Sequence, residues 1–317
     1  MSKILITGIT GFVGASLCKR LRQDGHMLTG TTRTDDLGAG PERVPLYHIP
    51  EVGPDTDWTQ AVTGADIVVH LVARVHVMKE RASDPLAEFR NVNTAGTKRL
   101  AEQAAEAGVK RFVFLSSVKV NGEVSPETGF TETNPPQPED AYGISKWEAE
   151  QALKVIAAET GLEVVIIRPP LVYGAGVRAN FLKLMQAIKL GLPLPLSAIK
   201  NQRSLVSLDN LVALIEICLE NKAAANQTFL VSDGEDLSTP ELLRRTARAM
   251  RRSARLFPIP VSLLIKTANL LGKSDFALRL CSSLQADINK TRDLLVWSPL
   301  VSVDESLQKT TKHFLSH

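Results

Sequence analysis

The stretch KILITGITGFVG, residues 3–14, decides the fold of this 317-residue chain. A short apolar run of β type leads into three evenly spaced glycines, and helical sequence follows. Gly8 permits a tight turn, Gly11 lets the backbone approach a pyrophosphate at the helix N-terminus, and Gly14 lets the helix pack closely on the strand. Glycines that merely form a turn are the alternative, but strand, glycine turn and helix in this order predict a dinucleotide-binding unit.

Strand-like and helical runs alternate after this unit, as a parallel sheet requires. We therefore predict an α/β fold, a doubly wound parallel Rossmann sheet with a smaller C-terminal substrate domain. The first domain should span residues 1–170 and the second 171–317, with segments near 204–232 returning to the first. The predicted strands of the first domain are residues 3–7, 27–31, 45–49, 66–72, 111–115 and 164–168.

Other segments also carry structural predictions. Residues 89–107 show a helical pattern, and residues 123–140, rich in Pro, Glu and Thr, are typical of a surface loop. The apolar segment 258–272 is interrupted by Lys266 and is too short to span a bilayer, so it is predicted to be a buried helix. An arginine-rich helix begins near Ser238, and its arginines are expected to form a solvated face.

Composition restricts the functional class. Hydrophobic residues make up 44% of the chain and charged residues 22%, which is ordinary for a globular protein. The net charge of +3 is too small to indicate nucleic acid or an anionic membrane. The histidines form no ligand cluster in the sequence, so no metal is predicted. Three cysteines without paired spacing and the absence of a signal peptide lead us to expect reduced thiols, no membrane insertion and a cytoplasmic location.

Residues at strand ends extend the predicted cofactor site, because ligands of open α/β sheets lie at the carboxyl ends of the strands. A carboxylate after the second strand would bind a ribose 2′-hydroxyl, but Thr32 stands there and Arg33 follows. An arginine suits the extra phosphate of NADP, so the predicted cofactor is NAD or NADP, with NADP slightly favoured. The alternative is that Arg33 is a solvated loop residue. The other cofactor contacts predicted here are Phe12, Val13, Glu51, Val52, Leu71 and Ala73.

The strand at residues 66–72 and the loop after it carry three polar candidates. His70, within the strand, is expected to be a hydrogen-bonded core histidine. Arg74 and His76 follow the strand's carboxyl end, where either could contact the substrate or form the rim of its site.

The stretch AYGISK, residues 141–146, predicts the chemistry of the site. Tyr142 and Lys146 are four residues apart and therefore share one face of a helix. A lysine ammonium beside a tyrosine favours the phenolate and should bring its pKa from about 10 toward the working range. Ser117, after the fifth strand, can hydrogen-bond a substrate oxygen held near Tyr142. A chance pair on a helix is the alternative, but the three together predict proton transfer at a substrate hydroxyl or carbonyl.

These motifs, in this order, resemble the extended short-chain dehydrogenase/reductase superfamily. Within it, nearly the whole chain is similar to the NAD-dependent epimerase/dehydratase family. Asn93-x-x-Gly96-Thr97 resembles the N-x-x-G-T helix of that family, and Arg168-Pro169 resembles the start of its R-P-x-x-V-Y-G segment beside the nicotinamide.

The resemblance implies roles for individual residues. Asn93, Pro169, Tyr142 and Lys146 are expected to contact the cofactor. Residues that match substrate-binding positions are Asn180 and Arg203, which would hold the diphosphate of a nucleotide sugar, as an amide and an arginine suit phosphate oxygens. The predicted substrate contacts are Arg74, Ser117, Lys119, Asn180 and Arg203.

Departures from the family pattern narrow the expected reaction. Leu171 replaces an asparagine, so one usual diphosphate contact is missing. Lys119 stands where the dehydratases carry a glutamate, which argues against sugar 4,6-dehydration because its proton chemistry at C5 needs a carboxylate. The segment 117–122 and the loop at 75–78 resemble a subgroup that serves bacterial surface-polysaccharide synthesis, including that of lipopolysaccharide.

The resemblance implies NAD(P)-dependent hydride transfer at C4 of a UDP-sugar. The subgroup and Arg33 favour a 4-reductase that acts on a UDP-4-keto-6-deoxy-N-acetylhexosamine with an exchangeable cofactor. The alternative is a 4-epimerase of UDP-hexoses or UDP-N-acetylhexosamines with retained NAD, which would share all the catalytic residues. A non-catalytic dinucleotide sensor is disfavoured by the complete Ser-Tyr-Lys set. By analogy with the family, the helices at 89–107 and 142–159 should pair with a second copy in a homodimer.

Overall fold

The computed structural model describes residues 2–34, 41–75, 84–272 and 274–316. Its strands are β1 Lys3–Thr7, β2 Met27–Thr32, β3 Leu46–His48, β4 Ile67–His70, β5 Arg111–Leu115, β6 Glu163–Arg168, β7 Leu171–Tyr173, β8 Leu205–Ser207 and β9 Thr228–Leu230. Seven of them form one parallel sheet in the order β3-β2-β1-β4-β5-β6-β9, and β7 pairs with β8 in parallel beside it. The predicted doubly wound α/β sheet is confirmed.

The helices follow the strands along the chain. They are α1 Phe12–Gln23, α2 Thr59–Val62, α3 Pro85–Phe89, α4 Gly96–Glu106, α5 Ala141–Thr160, α6 Ala179–Lys189, α7 Leu208–Glu220, α8 Thr239–Ala249, α9 Val261–Leu270, α10 Ser274–Cys281, α11 Asn289–Leu295 and α12 Val303–Ser316. A π-helical segment, Arg90–Ala95, connects α3 to α4. The helix predicted at 89–107 is therefore one helical run with a widened first part.

Alternation along the strands builds two cores from one sheet. In β1, Ile4 and Ile6 pack with α1 and α7 on one face, whereas Leu5 packs with α2, α4 and α5 on the other. In β5, Val113 belongs to the first face, and its apolar neighbours belong to the second. Because successive side chains point to opposite faces, a strand that is covered on both sides must be apolar at nearly every position.

The C-terminal part of the chain has a third core, formed by apolar side chains of α6, α8 and α12. Only α6 of these three helices precedes the return of the chain to the main sheet, and α8 and α12 follow it. After β8, helix α7 packs against α1, and β9 adds to the sheet beside β6. The smaller unit is thus interrupted by a segment that completes the larger one.

The prediction of a surface loop at 123–140 is partly wrong. Phe130, near its middle, is buried, and its backbone N–H and C=O pair with Gln285 and Asp287 at 2.8 Å. These hydrogen bonds hold the segment against the C-terminal unit, a long-range pairing that local composition does not encode.

The prediction of a buried helix at 258–272 is wrong. No residue of α9 is buried, and Leu263 and Leu270 are 50% and 87% exposed. The helix lies at the periphery, where it packs on α10 and sends only Val261 and Leu264 toward the third core. Its apolar composition is therefore left largely uncovered by the rest of the chain.

Two general findings concern the described residues. Among them, no helix has both the length and the apolarity needed to cross a membrane. The same residues contain no group of three or more His, Cys, Asp or Glu side chains placed to hold a metal ion. None of the cysteines in this part of the chain forms a disulfide, and Cys281 is only partly buried.

Candidate active site

The carboxyl ends of β1, β2 and β4 open onto one cleft of about 450 Å³. Most of the predicted cofactor contacts line it, namely Gly8, Gly11, Thr32, Arg33, Glu51, Val52, Leu71 and Ala73, together with Arg74. Sequence reasoning missed the residues that complete the lining, namely Thr10, Thr31, Ile49, Pro50, Val72, Glu88, Asn91 and Val92. Phe12 and Val13 start α1, but their side chains pack against the core, so any cofactor contact there would come from the backbone.

The glycine turn fits the pyrophosphate of a dinucleotide. Gly8 has a φ of 71°, which favours glycine, and its carbonyl accepts a hydrogen bond from Gly11 N at 2.9 Å. A Cβ at Gly14 would lie 2.2 Å from the Gly8 oxygen, so only glycine lets α1 start this close to the turn. Because Gly11 has no side chain to cap α1, the first N–H groups of that helix are available to an anionic ligand.

Asn93 acts on the cleft through Arg74. Its fully buried amide accepts a hydrogen bond from Arg74 N at 2.8 Å and donates to Arg74 O at 3.0 Å. It also donates to Ser145 Oγ at 2.9 Å, which ties the loop after β4 to helix α5. The side chain of Asn93 is therefore used in positioning that loop, whereas the resemblance implied a direct contact with the cofactor. His76 lies outside the described residues.

His70 is a core histidine, as predicted. Its Nδ1 is 2.7 Å from Thr7 Oγ1 and its Nε2 is 3.0 Å from Thr97 Oγ1, so both ring nitrogens are hydrogen-bonded. Burial, aided by the charge of Lys146, lowers the pKa of His70 to about 3. The imidazole is neutral in the folded protein.

This neutral histidine predicts acid sensitivity. In the unfolded chain His70 takes up a proton below its ordinary pKa of about 6.5, whereas in the folded protein it resists protonation down to about pH 3. Stability should therefore fall as the pH drops through this window, by about 2 kcal/mol between pH 7 and pH 5 from this residue. Urea unfolding at both pH values tests this against His70→Gln, whose pH dependence should be smaller. If the free energy of unfolding changed equally with pH in the two proteins, the prediction would be contradicted.

Tyr142, Ser117 and Lys146 come together where α5 meets the end of β5. Asp140 caps α5 by accepting a hydrogen bond from Gly143 N at 2.7 Å, and this fixes Tyr142 in the first turn. The Ser117 hydroxyl caps the short turn after β5 and hydrogen-bonds Tyr142. The Lys146 Nζ lies 6.0 Å from the centre of the Tyr142 ring.

The Lys146 ammonium is directed into the protein. It donates to Leu115 O at 2.9 Å and lies 4.4 Å from the centre of the Phe114 ring. Burial lowers the pKa of Lys146 to about 7, and the charge of Glu150 acts in the opposite direction. Lys146 is therefore only partly charged at neutral pH.

The predicted lowering of the Tyr142 pKa is wrong. Burial and the Asp140 carboxylate raise this pKa to about 12, and the hydrogen bond with Ser117 offsets only part of the increase. Desolvation disfavours the phenolate more strongly than the hydrogen bond with Ser117 stabilises it. Tyr142 is thus a neutral phenol that can donate a proton.

Four charged residues meet at the start of α5 and form what we call the charge cluster: Lys119, Glu123, Asp140 and Arg279. The Lys119 ammonium bonds Asp140 and, at 2.5 Å, Glu123. Arg279, on α10, reaches the same two carboxylates at 3.6 and 3.8 Å. Lys119 is hence held by protein carboxylates. The other three residues escaped sequence reasoning, because their meeting depends on how α10 packs.

The charge cluster keeps Asp140 ionised. Burial alone would raise the pKa of Asp140, but hydrogen bonds from Lys119 and from Gly143 N outweigh it and hold the pKa below its ordinary value. A carboxylate with a lowered pKa is a weak base, so Asp140 is poorly suited to abstract a carbon-bound proton.

The predicted diphosphate residues lie on the C-terminal unit. Arg203 is partly buried, and its Nη1 donates to the carbonyls of Arg279 and Ser282 at 2.6 and 3.1 Å. Burial lowers its pKa, and the carboxylate of Glu123 acts in the opposite direction. Arg203 thus lies next to Arg279 of the charge cluster. Asn180 is exposed on the first turn of α6.

A buried ion pair lies one helical turn beyond Lys146, between α5 and the end of β6. Arg168 and Glu150 are almost completely buried and form two hydrogen bonds, of 2.9 and 2.5 Å. Ser116 donates to the same carboxylate at 2.5 Å, and Arg168 donates to Asn121 Oδ1 at 3.0 Å. This network joins the end of β5, helix α5 and the end of β6, where the predicted cofactor contact Pro169 follows.

Comparisons with known proteins agree with this architecture. The pattern of the NAD dependent epimerase/dehydratase family matches residues 4–232. A UDP-glucose 4-epimerase of Vibrio cholerae is 43% identical over 98% of this chain and 95% of its own length. An N-acetyl-α-D-glucosaminyl-diphospho-ditrans,octacis-undecaprenol 4-epimerase of Escherichia coli O157:H7 is 29% identical over 82% of this chain and 76% of its own.

Solved structures show the same fold at low sequence identity. The UDP-N-acetylglucosamine 4-epimerase of Bacillus cereus superposes with a TM-score of 0.80 over 99% of both chains at 20% identity. The UDP-glucuronic acid 4-epimerase of the same organism, solved with NAD, gives 0.78 over 99% of both chains at 22% identity. With its sheet, glycine turn and Ser-Tyr-Lys site, and with the family pattern matched over most of its length, the chain belongs to the NAD dependent epimerase/dehydratase family.

Proposed function

We propose that this protein is a 4-epimerase of UDP-linked hexoses or N-acetylhexosamines that retains NAD in its cleft. The observation that carries the proposal is the assembly of Ser117, Tyr142 and Lys146 beside the dinucleotide cleft. The Vibrio cholerae UDP-glucose 4-epimerase, similar over nearly the full length, supports the substrate class and favours epimerisation over the reduction that the sequence features suggested.

The chain's own residues supply the proton chemistry. Tyr142 is a neutral phenol in the structure, and the positive charges of Lys146 and of bound NAD would have to favour its phenolate for this step. The phenolate would take the proton of the sugar 4-hydroxyl as C4 is oxidised and give it back when C4 is reduced. Ser117 hydrogen-bonds the same oxygen, and Lys146 provides positive charge near the phenolate. When bound, NAD supplies the acceptor, and later the donor, of the C4 hydride. The residues that line the cleft, from Gly8 and Gly11 to Ala73 and Arg74, would hold it, and Arg33 stands at its exposed rim.

An epimerase must also let the keto sugar turn between the two hydride transfers. A firm hold on the diphosphate allows this, because the sugar can rotate about its link while the nucleotide stays bound. Arg203 lies next to Arg279 of the charge cluster, and guanidinium groups suit phosphate oxygens. We assign them, with Asn180, to the diphosphate.

A reductase remains the second candidate because of one observation. Arg33 is exposed at the rim of the cleft, where it could contact the 2′-phosphate of an exchangeable NADPH. The substrate would then be a UDP-4-keto-6-deoxy-N-acetylhexosamine. Dehydration is disfavoured, since the carboxylates nearest Lys119 are both bound to cations.

Cofactor handling separates the two candidates. The purified protein is denatured, and any released dinucleotide is identified and counted. Intact protein is then offered UDP-glucose, UDP-N-acetylglucosamine and the 4-keto-6-deoxy sugar separately. We expect close to one NAD per chain and interconversion of C4 epimers without added cofactor. Consumption of NADPH with the keto sugar, and no bound NAD, would instead identify a reductase.

Arg33→Ala provides the control for this experiment. In a reductase that uses NADPH, this variant should raise the KM for NADPH and leave that for NADH nearly unchanged. In an epimerase with retained NAD it should change neither bound NAD nor turnover.

We also propose a homodimer, by analogy with the family, in which α4 and α5 pair with a second copy. Sedimentation that shows only monomer at micromolar concentration would count against it.

A further inference from the structure

Several apolar side chains are exposed on α9 and on the segments beside it, and we call this region the α9 surface. Its members are the exposed apolar side chains of Leu190, Leu192, Phe257, Leu263, Leu270 and Leu271. Leu270 and Leu271 are 87% and 72% exposed, far more than an isolated surface leucine needs to be. Soluble proteins seldom leave leucines clustered in this way, and such clusters mark places where something binds.

Backbone contacts join the segments of this surface. Leu194 N donates to Arg255 O at 2.8 Å, and Phe257 N donates to Leu194 O at 3.1 Å. The Arg252 guanidinium donates to Lys189 O at 2.9 Å. The turn after α6 therefore runs beside the segment that leads into α9, so the leucines of both belong to one region of the molecule.

The same region is strongly basic. Residues 246–272 contain no aspartate or glutamate, and their cations are Arg248, Arg251, Arg252, Arg255 and Lys266. All five are exposed. The net charge of +3 for the whole chain does not reveal this local excess of positive charge. The small net charge therefore does not exclude an anionic partner for this region.

We propose that the α9 surface docks on an anionic membrane. Exposed leucines beside arginines are the composition of segments that lie in the membrane interface, with the apolar side chains below the headgroups and the cations at the phosphates. Helix α9 has 10 residues, so it can lie in the interface and cannot cross the bilayer. A second copy fits less well, because two α9 surfaces would bring like charges together.

Docking in this way would place the substrate end of the cleft near the membrane. Helix α10 directly follows α9, and its Arg279 reaches the charge cluster beside Tyr142. A membrane-bound α9 would thus put the sugar site close to the lipid surface. The glycine turn and the cofactor cleft belong to the main sheet and would not take part in docking.

Vesicle co-sedimentation of the full-length protein tests the proposal. Vesicles of phosphatidylcholine with phosphatidylglycerol should bind the wild-type protein more tightly than vesicles of phosphatidylcholine alone. Leu263→Ser/Leu270→Ser/Leu271→Ser should weaken binding about tenfold or more. Arg251→Gln/Arg252→Gln/Arg255→Gln should weaken it similarly and reduce its dependence on salt.

Matched variants keep the test specific. Leu294→Ser/Leu300→Ser/Leu315→Ser removes exposed leucines elsewhere, and Lys19→Gln/Arg22→Gln/Lys154→Gln removes exposed cations elsewhere; both should bind like the wild type. Unfolding curves establish that each variant is folded, and turnover of soluble substrate should not change. Equal vesicle binding by the wild type and the α9 leucine variant would overturn the proposal. The proposal would also be overturned if the wild type bound no vesicles but associated with itself, and if only the α9 leucine variant lost that self-association.

Discussion

Tyr142→Phe should lower turnover by about 10² or more, because it removes the only proton-transfer group that we place at the sugar hydroxyl. The ring, its contact with Phe89 and the fold should be preserved, since only one oxygen is lost. Turnover under saturating substrate measures the effect, and the amount of bound NAD shows whether the cleft is intact.

Tyr47→Phe is the matched control, as it removes a tyrosine hydroxyl on β3, outside the catalytic group. It should retain nearly all activity. Near wild-type turnover in Tyr142→Phe would exclude the tyrosine as the proton donor. Loss of bound NAD in that variant would show that the defect lies in cofactor retention.

Arg168→Met should destabilise the protein by about 3–5 kcal/mol, because it leaves the buried Glu150 carboxylate without its partner. The substituted side chain is similar in length, so lost packing contributes little. The midpoint of urea unfolding measures the change. Arg90→Met breaks the exposed pair with Glu148 and should have a far smaller effect.

The pH dependence identifies the cause. In Arg168→Met the unpaired Glu150 should have a raised pKa in the folded state, so the folded variant takes up a proton more readily than the unfolded chain. The deficit relative to the wild type should therefore shrink as the pH falls. Arg168→Met/Glu150→Gln should recover part of the loss at neutral pH. A deficit independent of pH would point to packing instead.

Much of the fold and of the cofactor cleft could be predicted from local sequence patterns. The glycine turn and the apolar strands depend on neighbouring residues and on burial on both faces, and both are visible in sequence. Their carboxyl ends meet at one edge in any parallel sheet, which is why Thr32, Leu71 and Ala73 could be placed together without coordinates.

What sequence did not predict depends on long-range packing. The charge cluster requires α10 to meet the start of α5, and the pKa of Tyr142 depends on its burial and on the carboxylate of Asp140. The sequence also did not predict the exposure of α9, because this exposure reflects a long-range contact that is not made. An apolar helix is buried only if another element covers it, and periodicity does not say whether one does.

The late position of β9 has a consequence for synthesis of the chain. Strand β6 ends at Arg168, but its neighbour in the sheet begins at Thr228. On the ribosome, at about 5–20 residues per second, several seconds pass with the β6 edge unpaired. An unpaired edge invites pairing with other chains, so a nascent chain stalled in this interval should be a substrate for chaperones.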